Sequence, residues 1–342
     1  MKTTFLIGTY GKDENQGIVK LVYDFDAYRA VSVSIADAAP QASYLCRRDQ
    51  FVYAISEQLE GGLHAYCLEG DDLKVLNRDM TLERVLAHLS ADPAGKFLYR
   101  ISYGTGWIGV HELNEDGSLG KSAGKLLNQG CGPFKSRQQQ AHGHSITPTP
   151  DGGHVIACDL GTDEVMCLKV GEDGSLEKKE EMSVRLCGGT GPRQQAWHPD
   201  GSCVYVLTEM GYQLATLGWN DKAGLSVWDL RDIRPDMPRL DREGAAVKVS
   251  TDGKFVYTSC RYDGMLDVFR IGEKNIPTLV ETIHSGVQQP RDFHITNDGK
   301  HLLAAGQRSG DICVFRRDEE TGSLSPMDLI TGIEKPVCFL EV

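Results

Sequence analysis

Polar and charged residues recur at matching offsets around a turn-and-strand pattern that repeats along the chain. Eight residues after the reference position of each repeat stand Glu57, Tyr103, Leu160, Glu209, Arg261 and Gln307. Seven or eight residues before it stand His88, His144, Arg193, Ala245 and Arg291. The two series together hold carboxylates, guanidiniums and imidazoles, which can activate water, stabilise an oxyanion and bind an anionic group. Because matching offsets place these residues at the same position of each repeat, their charge predicts a polar site rather than residues that serve only for packing.

Two interpretations of these charged residues remain open. Arg193, Arg261 and Arg291 could form salt bridges between repeats with Glu57 and Glu209. Three guanidiniums that converge on one opening would instead suit a phosphate or carboxylate, which they bind through paired charge-assisted hydrogen bonds. In the same way, Glu209 is either a structural partner of an arginine or a base that takes a proton from water.

The segment Arg137 to Ser145 contains two histidines, His142 and His144, separated by one glycine. Two residues at this spacing share one face of a strand, but no third metal ligand is fixed by spacing, so we expect no metal. General acid or base catalysis, or substrate hydrogen bonding, is the better functional interpretation of His144. Ser145 lacks the Gly-x-Ser-x-Gly context of a serine nucleophile. The run Gly188 to Arg193 is not a phosphate-binding loop, because no Gly-Lys-Ser/Thr follows it.

The repeat that positions these residues is an Asp-Gly type turn followed by an apolar strand. It occurs at Gly95, Gly152, Gly201, Gly253 and Gly299, with a degenerate copy at Asp49. The spacing averages about 50 residues, and each interval contains four short strand-like segments without helical periodicity, so 342 residues hold close to seven units. This pattern predicts an all-β fold, a seven-bladed β-propeller, in preference to a six-bladed ring or two stacked sandwiches.

The two ends of the chain complete the predicted ring. Residues 336–342 resemble a lone first strand, and residues 3–37 supply the second, third and fourth strands of the same blade. Pairing them would close the ring and cover its edges. Because no linker or low-complexity stretch interrupts the pattern, we expect residues 1–342 to form a single domain.

Composition narrows the classes of function. The chain has 342 residues, 40% of them apolar, and a formal net charge of −12. Such an acidic protein is not expected to bind nucleic acid or an anionic membrane surface. The N-terminus lacks a signal-peptide pattern, no apolar run approaches the length of a membrane span, and ten cysteines stand singly in a long chain. These features favour a cytoplasmic protein with reduced, buried cysteines.

Several motifs in register resemble the seven-bladed β-propeller lactonase family. They run from Gly8-Thr9-Tyr10 to the last strand, and so cover essentially the whole chain. The motifs are His142-Gly143-His144-Ser145, Asp159-Leu160-Gly161-Thr162-Asp163, Gly191-Pro192-Arg193, Ser259-Cys260-Arg261, Pro290-Arg291-Asp292-Phe293 and Ala305-Gly306-Gln307. The family includes the propeller type of 6-phosphogluconolactonase and the fungal carboxy-muconate cyclase.

The resemblance implies a catalytic set of His144, Arg193, Glu209 and Arg261. It differs from the family pattern at Gln194, Thr208 and Cys260, where the family usually has His, Asn and Asn. We expect further substrate contacts from four other members of the two series and from the His142 segment, namely His88, Arg291, Gln307, Glu57, Arg137 and His142.

The activity that the resemblance implies is hydrolysis of 6-phospho-D-glucono-1,5-lactone to 6-phosphogluconate, a step of the pentose phosphate pathway. Glu209 is the expected base and His144 the proton donor, although the two roles could be exchanged. No cofactor is expected, and the partner is a small anionic lactone, bound by a monomer or weak homo-oligomer. A muconolactone-type cycloisomerase and a non-enzymatic interaction scaffold are the alternatives.

Overall fold

The computed structural model describes residues 1–11 and 17–342, which form short antiparallel strands grouped into sheets. The first half of the chain contributes β1 (Lys2–Thr9), β2 (Ile18–Asp24) and β3 (Arg29–Asp37); β4 (Leu45–Arg48), β5 (Phe51–Ser56), β6 (Gly61–Glu69) and β7 (Asp72–Leu82); β8 (Leu86–Ala91), β9 (Phe97–Ser102), β10 (Trp107–Leu113) and β11 (Leu119–Leu127); and β12 (Gly143–Pro148), β13 (His154–Asp159), β14 (Glu164–Val170), β15 (Leu176–Lys178) and β16 (Val184–Arg185).

The second half repeats the same order of strands. It contributes β17 (Pro192–Trp197), β18 (Cys203–Thr208), β19 (Gln213–Asn220) and β20 (Gly224–Asp232); β21 (Gly244–Val249), β22 (Phe255–Cys260), β23 (Met265–Ile271) and β24 (Pro277–His284); β25 (Pro290–Ile295), β26 (His301–Gly306), β27 (Asp311–Arg317) and β28 (Leu324–Ile330); and β29 (Pro336–Glu341). The helices of the described residues are three-residue 3-10 turns at Glu180–Met182, Arg239–Asp241 and Glu273–Asn275. None of them is long and apolar enough to cross a membrane.

Each repeat folds into one sheet whose strands follow one another in sequence, as predicted. The Asp-Gly turns between first and second strands explain the regularity. In one of them the Ser250 hydroxyl donates to Asp252 Oδ1, which also accepts the Lys254 amide at 3.1 Å. Gly253 has φ 68°, a left-handed conformation that glycine adopts without strain.

The sheet made from both chain termini is confirmed. Its strand order is β29-β1-β2-β3, and Ile7 of β1 lies opposite Phe339 of β29. Phe339 joins an apolar cluster with Phe5 of its own sheet and Leu303 of the β25–β28 sheet. The C-terminal strand therefore contributes backbone pairing to one sheet and apolar contact to its neighbour.

One sheet departs from the predicted four strands. The outer strand that follows β14 is divided into β15 and β16, both of which pair with β14. The 3-10 turn at Glu180–Met182 separates the two pieces, and Met182 is buried there. A buried side chain in the interruption explains why the strand does not continue along the edge.

The chain divides into two compact units. One consists of Met1–Ala38, Gln194–Gly218 and Val227–Val342, and the other of Ala39–Arg193 and Trp219–Ser226. In the first unit Phe255, Phe293 and Leu302 belong to one buried cluster, and in the second Tyr99, Ile146 and Met166 do so. The expectation of a single domain stays a prediction.

Candidate functional site

The first residue after the second strand of a sheet is the position that the sequence pattern singled out. Six such residues follow β5, β9, β13, β18, β22 and β26, namely Glu57, Tyr103, Leu160, Glu209, Arg261 and Gln307. Tyr10 follows β1 in the same way, so it is the seventh member of the series. Sequence reasoning missed Tyr10 because no Asp-Gly turn precedes β1. Taking β29 as the first strand of the sheet that the two chain termini share makes β1 its second strand, and Tyr10 is the residue after it.

A recurring backbone hydrogen bond fixes this position. The amide of the residue after the second strand donates to a carbonyl just before the first strand of the same sheet. Examples are Tyr103 to Val85 at 2.9 Å, Arg261 to Glu243 at 2.9 Å and Gln307 to Gln289 at 3.0 Å. Glu57, Leu160 and Tyr10 donate similarly to Gln41, His142 and Lys335. The side chains at these positions thus start from a backbone held by two strands.

Strained backbone accompanies four of these six carbonyls. Val85 has φ 54° and Gln289 has φ 56°, and Gln41 and Lys335 have φ 50° and 47°. A left-handed conformation is unfavourable for such residues, above all for the β-branched Val85. Backbone of this kind clusters at functional sites, where the surrounding structure maintains it.

In the first unit, the buried Glu209 forms an ion pair with the partly buried Arg261. Arg261 Nη2 lies 3.0 Å from Glu209 Oε2, and the side chains are 13% and 3% exposed. The Gly244 amide donates to the Glu209 carbonyl at 3.0 Å, and a Cβ on Gly244 would lie 2.4 Å from the Thr208 carbonyl oxygen. Glycine at 244 therefore permits the close approach that seats Glu209.

Arg261 also lines an open cavity of about 540 Å³ in the same unit. Its Nε is buried and has no hydrogen-bond partner among the described residues. Arg308, Glu243, Tyr262 and His284 lie in the same cavity wall. The guanidinium of Arg261 is thus held by a carboxylate while one of its donors remains to be satisfied.

Arg291 and Gln307 lie in this unit too. Arg291 Nη2 donates to the Tyr10 hydroxyl at 2.6 Å, and its guanidinium carbon lies 5.0 Å from the centre of the Tyr10 ring. Gln307 lines a second cavity of about 300 Å³, together with Lys335. Tyr10 is therefore a functional candidate in its own right, since it orients a predicted arginine.

In the second unit, Tyr103 contacts three of the predicted residues. Its ring stacks on His142, with centroids 4.5 Å apart, and meets the edge of His144 at 5.8 Å. Arg137 Nη2 lies 3.5 Å from its hydroxyl. His142 Nδ1 donates to the Tyr103 carbonyl at 2.7 Å, and its buried Nε2 has no hydrogen-bond partner in the described part of the chain. Sequence reasoning placed Tyr103 in the series but gave it no role.

Two aspartates fix the loops that carry these residues. Asp159 Oδ1 accepts the amide of His142 at 2.9 Å, and burial raises the pKa of Asp159. The carboxylate of Asp163 accepts the amides of Gly189, Thr190 and Gly191 at 2.8 to 3.0 Å. The glycine-rich run before Arg193 is therefore occupied by an internal carboxylate, in agreement with the expectation that it is not a phosphate loop.

The remaining candidates have contacts of their own. The His88 ring lies against Tyr44, with centroids 4.0 Å apart and ring planes tilted by 37°, and its Nδ1 accepts the Ile146 amide at 3.4 Å. Arg193, the second residue of β17, is 1% exposed. Glu57 keeps the backbone bond of its series. No group of three or more His, Cys, Asp or Glu side chains in residues 1–11 and 17–342 could hold a metal ion.

Comparisons with known proteins agree with this architecture. A family model described as lactonase, 7-bladed beta-propeller, matches residues 4–341. An uncharacterised protein of Staphylococcus saprophyticus is 31% identical over 99% of both chains. The 6-phosphogluconolactonase of Bacillus subtilis is 29% identical over 97% of this chain and 96% of that one.

A solved structure supports the same assignment of the fold. The crystal structure of a putative 6-phosphogluconolactonase from Bacteroides fragilis superimposes with a TM-score of 0.91 at 27% identity. It covers 100% of this chain and 98% of that chain. The predicted fold class, a seven-bladed β-propeller, is confirmed.

Proposed function

The chain belongs to the lactonase, 7-bladed β-propeller family, and from this premise we propose that it hydrolyses a sugar lactone, 6-phospho-D-glucono-1,5-lactone, to 6-phosphogluconate. The name of the Bacillus subtilis relative supports the phosphorylated substrate. The observation that carries the proposal is the Glu209–Arg261 pair beside the 540 Å³ cavity. It joins a carboxylate that can accept a proton with a cation that can stabilise negative charge.

The reaction follows from these two groups. Glu209 accepts a proton from a water molecule as the water oxygen bonds to the lactone carbonyl carbon. Negative charge moves to the carbonyl oxygen, which Arg261 stabilises. Collapse of the tetrahedral intermediate breaks the bond to the ring oxygen. That oxygen receives a proton, and the product is an open-chain hydroxy acid.

The other members of the predicted set have proposed roles as well. His144 donates the proton to the leaving ring oxygen, and Arg193 shares the stabilisation of developing negative charge. Contacts with the hydroxyl and phosphate groups of the substrate are proposed for His88, Arg137, His142, Arg291, Gln307 and Glu57. This scheme needs no metal or other cofactor, so exhaustive chelation should leave the rate unchanged.

The charges of the cavity suggest where the phosphate binds. Among its charged residues Arg261 pairs with Glu209, and Asp263 pairs with Arg234. Arg308 makes no ion pair within the described residues, and its side chain is exposed. A guanidinium without a carboxylate partner suits a phosphate dianion, and we assign that contact to Arg308.

Two variants that change the charge of the cavity in opposite directions test this contact. Arg308→Ala should raise KM for the phosphorylated lactone about tenfold, since a charge-assisted hydrogen bond is lost, and leave KM for glucono-1,5-lactone unchanged. Glu243→Gln removes a carboxylate from the same cavity wall and should lower KM for the phosphorylated lactone. Equal effects on both substrates would remove Arg308 from phosphate binding while leaving the hydrolytic activity intact.

The activity itself is tested on a panel of lactones. Rates of ring opening above the spontaneous rate are compared for 6-phosphogluconolactone, glucono-1,5-lactone and a muconolactone, in a pH-stat. The proposal expects the highest kcat/KM for the phosphorylated lactone. A preference for the muconolactone would favour the cycloisomerase, and absence of turnover on all three would favour a scaffold. A cytoplasmic location and a place in the pentose phosphate pathway are proposed because the Bacillus subtilis relative is named a 6-phosphogluconolactonase.

A further inference from the structure

The outer strand of the shared sheet is unusual among the outer strands of the described residues. The residues of β3 between its ends, from Ala30 to Ala36, are alanine, valine, serine and isoleucine only. The other outer strands carry charged residues or proline along their length: Lys74 and Arg78 in β7, Lys121 and Lys125 in β11, Glu177 in β15, Asp229 and Arg231 in β20, Glu281 in β24, and Pro326 and Asp328 in β28. Charges, prolines and bulges protect an open edge from pairing. Between its ends β3 has no charge and no proline, and register shifts against β2 at Val31 and Ala36 leave Ser32 to Ile35 as its regular stretch.

The same strand exposes apolar side chains. Val31, Val33 and Ile35 are 45%, 48% and 44% exposed. Met327 and Leu329 of β28, in the same unit, are 37% and 49% exposed. Exposed apolar residues at alternate positions of an unprotected edge strand are the features that strand addition uses.

The sequence of β3 reads nearly the same in both directions. The strand Arg29–Asp37 is RAVSVSIAD, with Val33 at its centre. If two copies pair in antiparallel orientation about Val33, Val31 lies opposite Ile35 and Ser32 opposite Ser34. Arg29 of each copy then lies opposite Asp37 of the other. Apolar residues meet apolar residues, and opposite charges meet at both ends.

We propose that β3 is a homodimer interface, in which two copies of this chain pair antiparallel about a two-fold axis through Val33. The two shared sheets then form one continuous sheet of eight strands. A two-fold interface requires a surface that complements itself, and a palindromic strand with opposite charges at its ends meets that requirement. Register shifts flank the regular stretch of β3, so the paired segment is short and the dimer is expected to depend on concentration.

The first test is the oligomeric state over a concentration series. Analytical ultracentrifugation of the whole chain should show a monomer at low micromolar and a dimer at high micromolar concentration. Val33→Lys places two ammonium groups against each other on the axis and should weaken association about tenfold or more. Val280→Lys on β24 is the matched control, since Val280 is also 48% exposed, and should dimerise like the unaltered chain. A monomer at all concentrations, or a dimer that survives Val33→Lys, would overturn the proposal.

A second test reads the register. Val33→Cys should form an intermolecular disulfide under mild oxidation, because residue 33 faces itself across the axis. Val31→Cys should not, because residue 31 faces residue 35. The exposed Cys131 and Cys187 set the background, which the unaltered chain measures. Equal cross-linking of both variants would exclude pairing about Val33.

A third test uses Arg29 and Asp37, the charged residues at the two ends of β3. Arg29→Asp should weaken association, and adding Asp37→Arg should restore it, because each copy then offers the reversed pair. Circular dichroism verifies that each variant is folded. Failure of the double variant to recover association would contradict this pairing. Because no lactone is involved, the outcome is independent of the proposed enzymatic activity.

Discussion

Glu209 and Arg261 show how a single contact changes the interpretation of a residue. The sequence left open whether Glu209 pairs with an arginine or acts as a base, and the 3.0 Å ion pair with Arg261 makes each residue the immediate environment of the other. A carboxylate held by a guanidinium has its oxygens oriented. Such a carboxylate can serve as a base, or it can hold the guanidinium in place. The two roles predict different kinetics.

Glu209→Gln tests the proposed base. The amide keeps the shape but cannot accept the proton of water, so kcat for the lactone should fall by about 10² to 10⁴. Glu83→Gln is the matched control, because Glu83 is 6% exposed and pairs with Arg100 at 3.1 Å outside the proposed site. Stopped-flow rates and melting temperatures are measured for both. A rate loss no greater for Glu209→Gln than for Glu83→Gln would assign Glu209 a structural role.

A buried histidine makes stability depend on pH. Burial lowers the pKa of His111, and the nearby Arg100 guanidinium lowers it further, although Asp79 opposes the shift. The unfolded chain, in which histidine has a pKa of about 6.5, then binds more protons than the folded one as pH falls. His111 therefore contributes stability that is complete above about pH 6.5 and is lost as pH falls toward its lower folded pKa.

The test compares unfolding in urea at several pH values. His111→Gln keeps polar groups between Arg100 and Asp79 but cannot take up a proton. The free energy of unfolding of the variant should fall less between pH 7 and pH 5 than that of the unaltered chain. Parallel curves for the two proteins would show that His111 does not contribute to the pH dependence.

At the scale of elements, the loop before four of the first strands combines a left-handed residue with a fixed hydrogen bond. Val85 has a left-handed backbone conformation, and its carbonyl accepts the Tyr103 amide at 2.9 Å. The Tyr103 ring in turn stacks on His142. The position demands a left-handed residue, yet valine is among the worst for it. Strain at this loop is therefore a cost in stability that other contacts offset.

Val85→Asn should relieve that cost. Asparagine adopts the left-handed conformation more readily, so the free energy of unfolding should rise by about 1 kcal/mol. Val227→Asn is the control, since Val227 lies in strand β20 and is 49% exposed, and it should bring no gain. Urea denaturation measures both. Stabilisation by the control equal to that by Val85→Asn would mean that polarity, and not backbone strain, is responsible.

The elements that the sequence predicted are those marked by local rules. An Asp-Gly turn has its own hydrogen bonds and a glycine with positive φ, so its position is visible in the residues themselves. The division of the strand into β15 and β16 has no such mark, because it depends on where Met182 finds a buried place. The contact of Tyr44 with His88 was equally hidden, since side-chain contacts between a loop and a strand of another sheet follow no period.

At the scale of the molecule, the two chain termini meet in one sheet. Residues near position 339 pair with residues near position 7, although the whole chain lies between them. Such contacts carry the entropic cost of closing a long loop. Contacts from β29 also reach the next sheet: Glu341 Oε2 lies 2.9 Å from His294 Nε2 and accepts the Asn297 amide at 2.8 Å. The last strand thus stabilises two sheets at once.

Phe339→Ala tests how much the whole fold depends on this closure. Phe339 is 5% exposed in the cluster with Phe5 and Leu303, so its truncation should lower the free energy of unfolding by about 3 to 5 kcal/mol. Leu329→Ala, at a side chain that is 49% exposed, should change it by less than about 0.5 kcal/mol. Because the cluster spans two sheets, the loss should appear as one cooperative shift of the transition, recorded by tryptophan fluorescence and circular dichroism together. A separate early transition for Phe339→Ala would show instead that the shared sheet opens on its own while the rest of the molecule stays folded.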